Sequence, residues 1–342
     1  MSKIAVTELK KGMIISSDIF SKKGSLLLYK GFKIENPELV AVVLGRNDIE
    51  MVDIKDGAET SSVVSEKVKE SNDVSEKIFQ EVVEFKDEFN GVIKNISKDV
   101  ETFNETKDIK DIKSLDQGSK IAQNNDKSIL TLFQLVEKIK NERSSKYTDL
   151  LQISLLSYAI GKWMQFNETE LKDLSEAALL HGMFTEYSIT VDNIDQVKGT
   201  ENVSDITLKS ALYASERNDG SGPLGLKGDE IPSYSKIIAI AQVFYRLTMP
   251  NDLSEKLSVF DAIKIMQTEY MPVLDAKFLY IFLHRVSSKY IGSTVRLSNG
   301  KSGIIVFVPE NEIAFPYIKT DDGEVINLQS SENRNTKIIE II

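Results

Sequence analysis

The sequence contains no cysteine and only two histidines, His181 and His284, among its 342 residues. The absence of cysteine excludes disulfides, thiolate nucleophiles and cysteine-ligated zinc. Two imidazoles are too few for a hydrolase that holds its metals through several histidines. Apolar runs of membrane-spanning length are also missing, and the N-terminus lacks the apolar core of a signal peptide. We therefore expect a cytoplasmic protein.

Acidic residues outnumber basic ones by 52 to 42, which gives a formal net charge of -10. This balance opposes binding to nucleic acid or to an anionic membrane, because their phosphates would be repelled. Hydrophobic residues make up 41% of the chain and charged residues 27%, which is typical of a globular protein with a real core. The length predicts two or three domains. Neither nucleic acid nor a membrane is expected as a partner.

Four regions of the chain differ in their pattern. Residues 1–56 alternate short apolar runs with glycines, which predicts a small β-rich module. Residues 57–127 are highly charged with apolar positions at helical spacing, which predicts a helical linker or arm. Residues 128–290 carry apolar stripes typical of a helical bundle, and residues 291–342 predict a small β module of about five strands. The predicted fold class is mainly α, with β-rich modules at both ends.

Several helix ends and turns can be read directly from the sequence. A short helix is predicted from Pro37 to Leu44, and an amphipathic helix from Val64 to Ile96, serving either as a packing helix or as a dimerisation arm. Asn167 is a predicted N-cap with Glu170 as its capping-box partner. Further helix starts are predicted at Pro232-Ser233 and at Ser258, and a hairpin turn is predicted at Asn299-Gly300.

The segment from Glu216 to Gly228, which reads ERNDGSGPLGLKG, is the most informative part of the chain. The glycines between Gly220 and Gly225 have the spacing of a dinucleotide-binding fingerprint. Pro223 lies inside that spacing, no β-branched strand precedes it, and the next helix starts well after it. The sequence therefore does not predict a dinucleotide-binding loop here.

The same segment resembles the signature of the HD-GYP family of cyclic di-GMP phosphodiesterases. That family has a pattern like HHERxDGSGYPxGLxGxxI, followed by a helix that begins IIAIADVYDALT. Glu216 to Ile231 resembles the first part, and Lys236 to Thr248 resembles the second. Leu179-Leu180-His181 is similar to the helix that carries the family's HD pair. The resemblance covers most of the chain and implies a bacterial protein, of the clostridial or Firmicutes type, with a helical HD domain.

Family members bind two or three iron-type ions through histidine and aspartate side chains, and this sequence departs from that ligand set. Thr185 replaces the lysine that follows the HD pair, and the tyrosine of GYP is absent. The interval from Gly182 to Tyr213 contains no histidine and is shorter by about one helix. His181 is retained, and the other relic ligand positions hold Asp149 (or, counted from the other side, Leu151), Gly182, Ala214, Ser215 and Gln242.

Three functions follow from these departures. The first is a pseudo-phosphodiesterase, a catalytically inactive scaffold in cyclic di-GMP-related signalling that needs no cofactor. The second is a protein that binds cyclic di-GMP or a related nucleotide without cleaving it, although Thr185 removes a cation that a phosphate would need. The third is a divergent metal-dependent phosphohydrolase rebuilt around Asp149, His181 and Glu216.

The candidate interaction loop admits a structural and a functional interpretation. Structurally, we expect a Glu216–Arg217 ion pair, a turn tied by Asp219, and positive φ angles at Gly220 and Gly222. Functionally, a solvent-facing Arg217 and the Pro223-Leu224 tip would bind a protein partner such as a GGDEF-type diguanylate cyclase; a homodimer is also left open. His181 is expected to bind a backbone or side-chain partner, and His284 to lie near a helix end. The proposed loop comprises Glu216, Arg217, Asp219, Gly220, Gly222, Pro223 and Leu224.

Overall fold

The computed structural model divides the chain into two compact units. The helical unit comprises Ser65–Leu257 and Ile265–Phe282, and the mixed unit comprises Met1–Val64, Ser258–Lys264 and Leu283–Ile342. The four domain boundaries expected from the sequence remain a prediction. The structure describes residues 2–10, 12–17, 19–20, 26–28, 34, 37, 40–41, 44, 49–54, 85, 87–124, 146–249, 257–333 and 335–341.

The helical unit is a bundle in which long helices pack side by side. Helix α3 packs against α4 and α6, and α4 packs against α5. The helices are α1 (residues 87–106), α2 (Gln117–Asn124), α3 (Lys146–Trp163), α4 (Glu168–Glu186), α5 (Asp205–Tyr213) and α6 (Ser233–Thr248). Short 3-10 turns lie at Ile109–Asp111, Val191–Gln196, Thr200–Asn202 and Gly228–Glu230, and a π-helical segment at Met266–Tyr270.

Helix α1 packs into the bundle through one apolar face. Phe89, Ile96 and Phe103 are each at most 1% exposed and belong to the same core as Tyr158 and Leu180. Their seven-residue spacing places them on one side of the helix. Of the two roles left open for this charged stretch, residues 87–106 therefore form a packing helix. The predicted residues 64–84 lie outside the described part of the chain.

The predicted caps of the bundle are confirmed. The Asn167 side chain accepts hydrogen bonds from the N–H groups of Thr169 and Glu170, both at 3.0 Å. The Glu170 carboxylate accepts from the Asn167 N–H in return, at 2.8 Å, which completes the capping box at the start of α4. Pro232 directly precedes the first residue of α6. These ends fix where α4 and α6 begin.

The described residues of the mixed unit form three antiparallel sheets. Strands β1 (Ser2–Ala5) and β4 (Met51–Ile54) pair, and so do β2 (Ile19–Phe20) and β3 (Leu26–Leu28). The described residues within the predicted helix at 37–44 are helical. The third sheet has the order β8-β7-β6-β5-β9. Its strands are β5 (Thr294–Leu297), β6 (Ser302–Phe307), β7 (Tyr317–Thr320), β8 (Val325–Asn327) and β9 (Ile338–Ile341).

Two further helices, α7 (Val259–Ile265) and α8 (Ala276–Lys289), are each divided between the two units. The hydroxyl of Ser258 accepts the N–H of Asp261 at 3.1 Å, so the predicted cap of α7 is confirmed. The predicted Asn299-Gly300 turn joins β5 to β6, and Gly300 has φ 83° as such a turn needs. The predicted fold class, mainly α with small sheets at both ends, is confirmed. No helix in the described part of the chain is long and apolar enough to cross a membrane.

Candidate functional site

His181 lies in the last turns of α4 and is only 5% exposed. Its Nδ1 is 2.7 Å from the carbonyl oxygen of Ala211 at the end of α5. A neutral ring must donate from Nδ1 to reach a carbonyl, which leaves Nε2 unprotonated. Burial lowers the pKa of His181, and the charge of Arg217 lowers it further. The expected backbone partner of this relic histidine is therefore confirmed.

Gly182 follows His181 and faces a side chain of α3. A Cβ built at Gly182 would lie 1.9 Å from Cδ2 of Leu150, far inside van der Waals contact. The position at which the HD-GYP resemblance puts an aspartate is therefore filled by a leucine from the neighbouring helix. A carboxylate cannot extend from residue 182 unless Leu150 moves.

Asp149, the acidic residue at a relic ligand position on α3, is hydrogen-bonded to a neighbouring helix. The hydroxyl of Tyr245 on α6 donates to Asp149 Oδ1 at 2.6 Å. Tyr245 stands where the HD-GYP-like pattern has its second aspartate, and its side chain is 6% exposed. The pair of side chains joins α3 to α6, so Asp149 acts here in helix packing.

The remaining relic positions offer no replacement ligands. Ala214 is fully buried at the end of α5, and Ser215 contributes its carbonyl oxygen to a contact with Arg217. Gln242 is half-buried within α6. The sequence between α4 and α5 is expected to lack one helix of the family pattern, and this interval contains 3-10 turns. Only His181 keeps a metal-binding side chain of the expected type.

Among the residues that the structure describes, no group of three or more His, Asp or Glu side chains could hold a metal ion. The rebuilt set expected around Asp149, His181 and Glu216 is not such a group. Each of the three side chains instead forms a hydrogen bond within the chain. Asp149 binds Tyr245, His181 binds the carbonyl of Ala211, and Glu216 binds the backbone of the loop. The residues present do not fit the metal centre that the family resemblance implies.

Glu216 is the internal anchor of the candidate interaction loop. Its side chain is buried, and Oε1 accepts the N–H of Leu224 at 2.8 Å. Oε2 accepts the N–H of Leu226 at 3.0 Å. The expected Glu216–Arg217 ion pair is therefore wrong: the carboxylate instead accepts two part-buried N–H groups of the loop.

Arg217 holds the start of the same loop. Its Nη1 donates to the carbonyl oxygens of Ser215 at 3.0 Å and Glu216 at 2.8 Å. The side chain is half-buried, and burial together with the nearby charge of Arg246 lowers its pKa. The expectation of a solvent-facing Arg217 is wrong, because the guanidinium is committed to backbone carbonyls.

Two glycines let the loop turn tightly, for different reasons. Gly220 has φ +85°, the positive value predicted for it. Gly222 lies outside that region, so its predicted positive φ is wrong. A Cβ at Gly222 would be 2.6 Å from Cα of Glu216 and 2.8 Å from the N of Arg217. Gly222 is needed because two backbone segments approach each other there.

The tip of the loop is exposed on a fixed base. Asp219 accepts the hydroxyl of Ser221 at 2.7 Å and its N–H at 3.0 Å, which confirms the predicted turn. These two hydrogen bonds lower the pKa of Asp219. Asn218 donates its N–H to the carbonyl of Val273 at 2.8 Å. Pro223 is exposed and Leu224 is 45% exposed. The loop therefore presents an apolar tip from a hydrogen-bonded frame.

His284 lies in the last two turns of α8 and is half-buried, which agrees with its expected place near a helix end. Sequence reasoning missed Leu150 and Tyr245, the two side chains that occupy the relic site. Tyr245 could have been found, because it replaces an aspartate of the quoted helix pattern. Leu150 carried no such signal.

The helical unit, which carries the Glu216–Gly228 loop, is similar in part to a known domain family. The HD domain family matches residues 192–277, about a quarter of the chain. The matched range contains the Glu216–Gly228 loop and α6, and begins after the His181-Gly182 pair. The predicted relation to the HD superfamily is confirmed, with the HD-GYP-like loop inside the matched range.

Among solved structures, the HDG"Y"P protein Bd1817 from Bdellovibrio bacteriovorus is similar to this chain. The two share 14% sequence identity with a TM-score of 0.46, over 82% of this chain and 97% of that one. The curated proteins contain no significant match.

Proposed function

We propose that this chain is a pseudo-phosphodiesterase, an HD-domain protein without phosphodiesterase activity that acts as a binding scaffold in cyclic di-GMP-related signalling. The observation that carries the proposal is the contact at Gly182. Leu150 lies where the bridging carboxylate of a metal centre would extend, so the pair of cations that would clamp a phosphate and activate water has no common ligand.

The surroundings of this contact support the same proposal. Asp149 accepts a hydrogen bond from Tyr245, and Ala214 is fully buried. Restoring one metal ligand by mutation would therefore not restore the metal site, because the side chain at each ligand position is involved in different packing or hydrogen bonds.

Metal content and turnover test the proposal directly. We expect purified protein from medium supplemented with iron, manganese and zinc to contain well under one metal ion per chain. Long incubations with cyclic di-GMP and added Fe(II) or Mn(II) should yield no linear or mononucleotide product, in wild type as in a Gln242→Ala control. One metal ion per chain that is lost in His181→Ala, or product formed above the control, would overturn the proposal. Calorimetry with cyclic di-GMP separates scaffold function from binding without hydrolysis.

The proposed partner surface is the Pro223-Leu224 tip. A leucine that is 45% exposed on a hydrogen-bonded loop offers an apolar contact with little ordering cost on binding. Arg217 is not part of this surface, because it is half-buried and bound to carbonyls. The proposed partner is a protein, of which a GGDEF-type diguanylate cyclase is the first to test.

Surface variants locate the partner contact. Leu224→Asp should abolish binding to a purified GGDEF domain in a biosensor assay and leave the melting temperature nearly unchanged. Val325→Asp serves as the matched control, because Val325 is an exposed apolar residue, at 37%, in the C-terminal sheet. Loss of binding in the control alone would move the surface to that sheet. Equal binding by both variants and wild type would contradict the proposal.

A further inference from the structure

A second site lies at the opposite end of the helical bundle from the relic metal position. It is a cavity of about 470 Å³. Glu170, at the start of α4, lines it, whereas His181 lies eleven residues further along the same helix, roughly 16 Å away along the axis. The lining residues are Trp163, Met164, Gln165, Phe166, Glu170, Ile206, Ser233, Tyr234, Lys277, Phe278 and Ile281.

Aromatic side chains form much of the cavity wall. Trp163, Phe166, Tyr234 and Phe278 all line it. The rings of Phe166 and Tyr234 contact each other with centroids 5.7 Å apart and planes tilted by 51°. Walls of this kind hold a planar ring, because a flat ring covers a large apolar area against them and can stack on their faces.

Tyr234 carries a polar group that the fold leaves without a partner. The residue is only 6% exposed, and no hydrogen bond joins its hydroxyl to any residue that the structure describes. Burial raises the pKa of Tyr234 to about 12, and the charges of Asp173 and Glu170 add to the effect. The hydroxyl therefore stays protonated at neutral pH. The hydroxyl is not among the fully buried atoms, so it is open to donate a hydrogen bond to a molecule in the cavity that Tyr234 lines.

The start of α6 adds a positive end to the same cavity. Helices α4 and α5 begin with the capping side chains of Asn167 and Ser204, and both have acidic residues in their first turn. Helix α6 begins after Pro232 with no side-chain cap and no acidic residue in its first turn. Its first N–H groups are therefore open to an anion.

Two side chains beside the start of α6 are also suited to binding an anion. Ser233, the first residue of α6, and Lys277 both line the cavity, and they carry a hydroxyl and an ammonium group. Lys277 is exposed, and no ion pair joins its ammonium group to an acid among the described residues. A carboxylate or phosphate placed here would gain charge-assisted hydrogen bonds.

We propose that this cavity binds a small molecule that combines a planar ring system with one anionic group, a carboxylate or a phosphate. The ring lies between the aromatic walls and accepts a hydrogen bond from Tyr234. The anionic group lies at the start of α6, against Ser233 and Lys277. A volume of about 470 Å³ is in the range of small-molecule sites, roughly 300–1,000 Å³. The proposal does not rest on the inactive relic site.

The cavity contains its own spectroscopic reporter, because Trp163 is the only tryptophan in the chain. We would titrate the full chain with four probes while following Trp163 fluorescence and the melting temperature. Adenosine 5′-monophosphate is compared with adenosine, and 1-naphthoate with 1-naphthamide. We expect saturable binding of at least one anionic probe and binding about tenfold weaker or less for its neutral partner. Which pair responds distinguishes a phosphate ligand from an aromatic carboxylate.

Variants separate the proposed contacts from general surface charge. Lys277→Gln should weaken binding of the anionic probe about tenfold while leaving the neutral probe unchanged. Lys94→Gln, at an exposed position of α1 outside the cavity lining, should change neither. Tyr234→Phe should weaken both members of the pair. Equal affinity for charged and neutral probes, an unchanged affinity in Lys277→Gln, or no saturable response to any probe would each overturn the proposal.

Discussion

Cδ2 of Leu150 lies 1.9 Å from the point where a side chain on Gly182 would begin. The two residues belong to different helices, so the contact fixes how closely α3 and α4 approach each other. The glycine is thus required for packing, at the position where the HD-GYP-like pattern has an aspartate.

The first prediction concerns this contact. Gly182→Ala should lower the free energy of unfolding by about 1–3 kcal/mol, because the new methyl group overlaps Leu150. Adding Leu150→Ala should recover part of the loss, which a double-mutant cycle in urea would measure. Gly91→Ala on α1 is the control: a Cβ there meets nothing within 4 Å, so alanine should stabilise the protein by about 1 kcal/mol. If Gly182→Ala behaves like Gly91→Ala, the packing requirement does not exist.

The second prediction concerns pH and His181. Its pKa in the folded state is below the unfolded value, so the unfolded chain binds the proton more readily. The stabilisation is fully present above the ordinary histidine pKa of about 6.5 and is lost as the pH falls from there toward the folded value, by at most about 1.4 kcal/mol per pH unit. His181→Gln should flatten the curve of stability against pH in that window. The same curve in His181→Gln and in wild type would contradict the assignment.

The third prediction concerns the loop anchor. Glu216→Ala should destabilise the protein by about 1–3 kcal/mol, because the N–H groups of Leu224 and Leu226 lose their acceptor. Asp219→Ala removes a carboxylate at an exposed position and should cost less than Glu216→Ala. Thermal unfolding and amide exchange at Leu224 and Leu226 provide the measurement. Unchanged exchange in Glu216→Ala would show that the carboxylate does not hold the loop.

The fourth prediction concerns Gln165, which follows α3 with φ 63°. The N–H of Phe166 donates to the carbonyl of Gly161, and the N–H of Gln165 to that of Lys162, the pattern of a helix end at which glycine is usual. Gln165→Gly should raise the free energy of unfolding by about 0.5–1 kcal/mol. Gln165→Ala keeps the strained φ and should show no gain. An equal gain in the free energy of unfolding in both variants would show that the positive φ of residue 165 is not its cause.

Features that depend on neighbours in the chain were predictable from the sequence. The Asn167 capping box and the Asn299-Gly300 turn are examples, because their residues interact within a few positions of each other. The Glu216–Arg217 pairing failed for a physical reason. Adjacent opposite charges suggested an ion pair, but the carboxylate instead binds two part-buried N–H groups of the loop.

Features that join distant segments were not predictable. Leu150 and Gly182 meet only when α3 packs on α4, and no pattern in the sequence marks that leucine. The cavity beside Tyr234 draws its lining from five separate segments, so it exists only once the bundle has formed. Sequence reasoning located the relic histidine, but the group beside it could be identified only from packing.

The Glu216 anchor has a further consequence for variation at the loop. The residues that set the shape of the loop lie inside it, whereas Pro223 and Leu224 at the tip project outward. A change at the tip therefore leaves the hydrogen-bonded frame intact. The side chains at the tip can therefore be exchanged, in evolution or by design, while the conformation of the loop stays the same, and the proposed binding surface can change in this way.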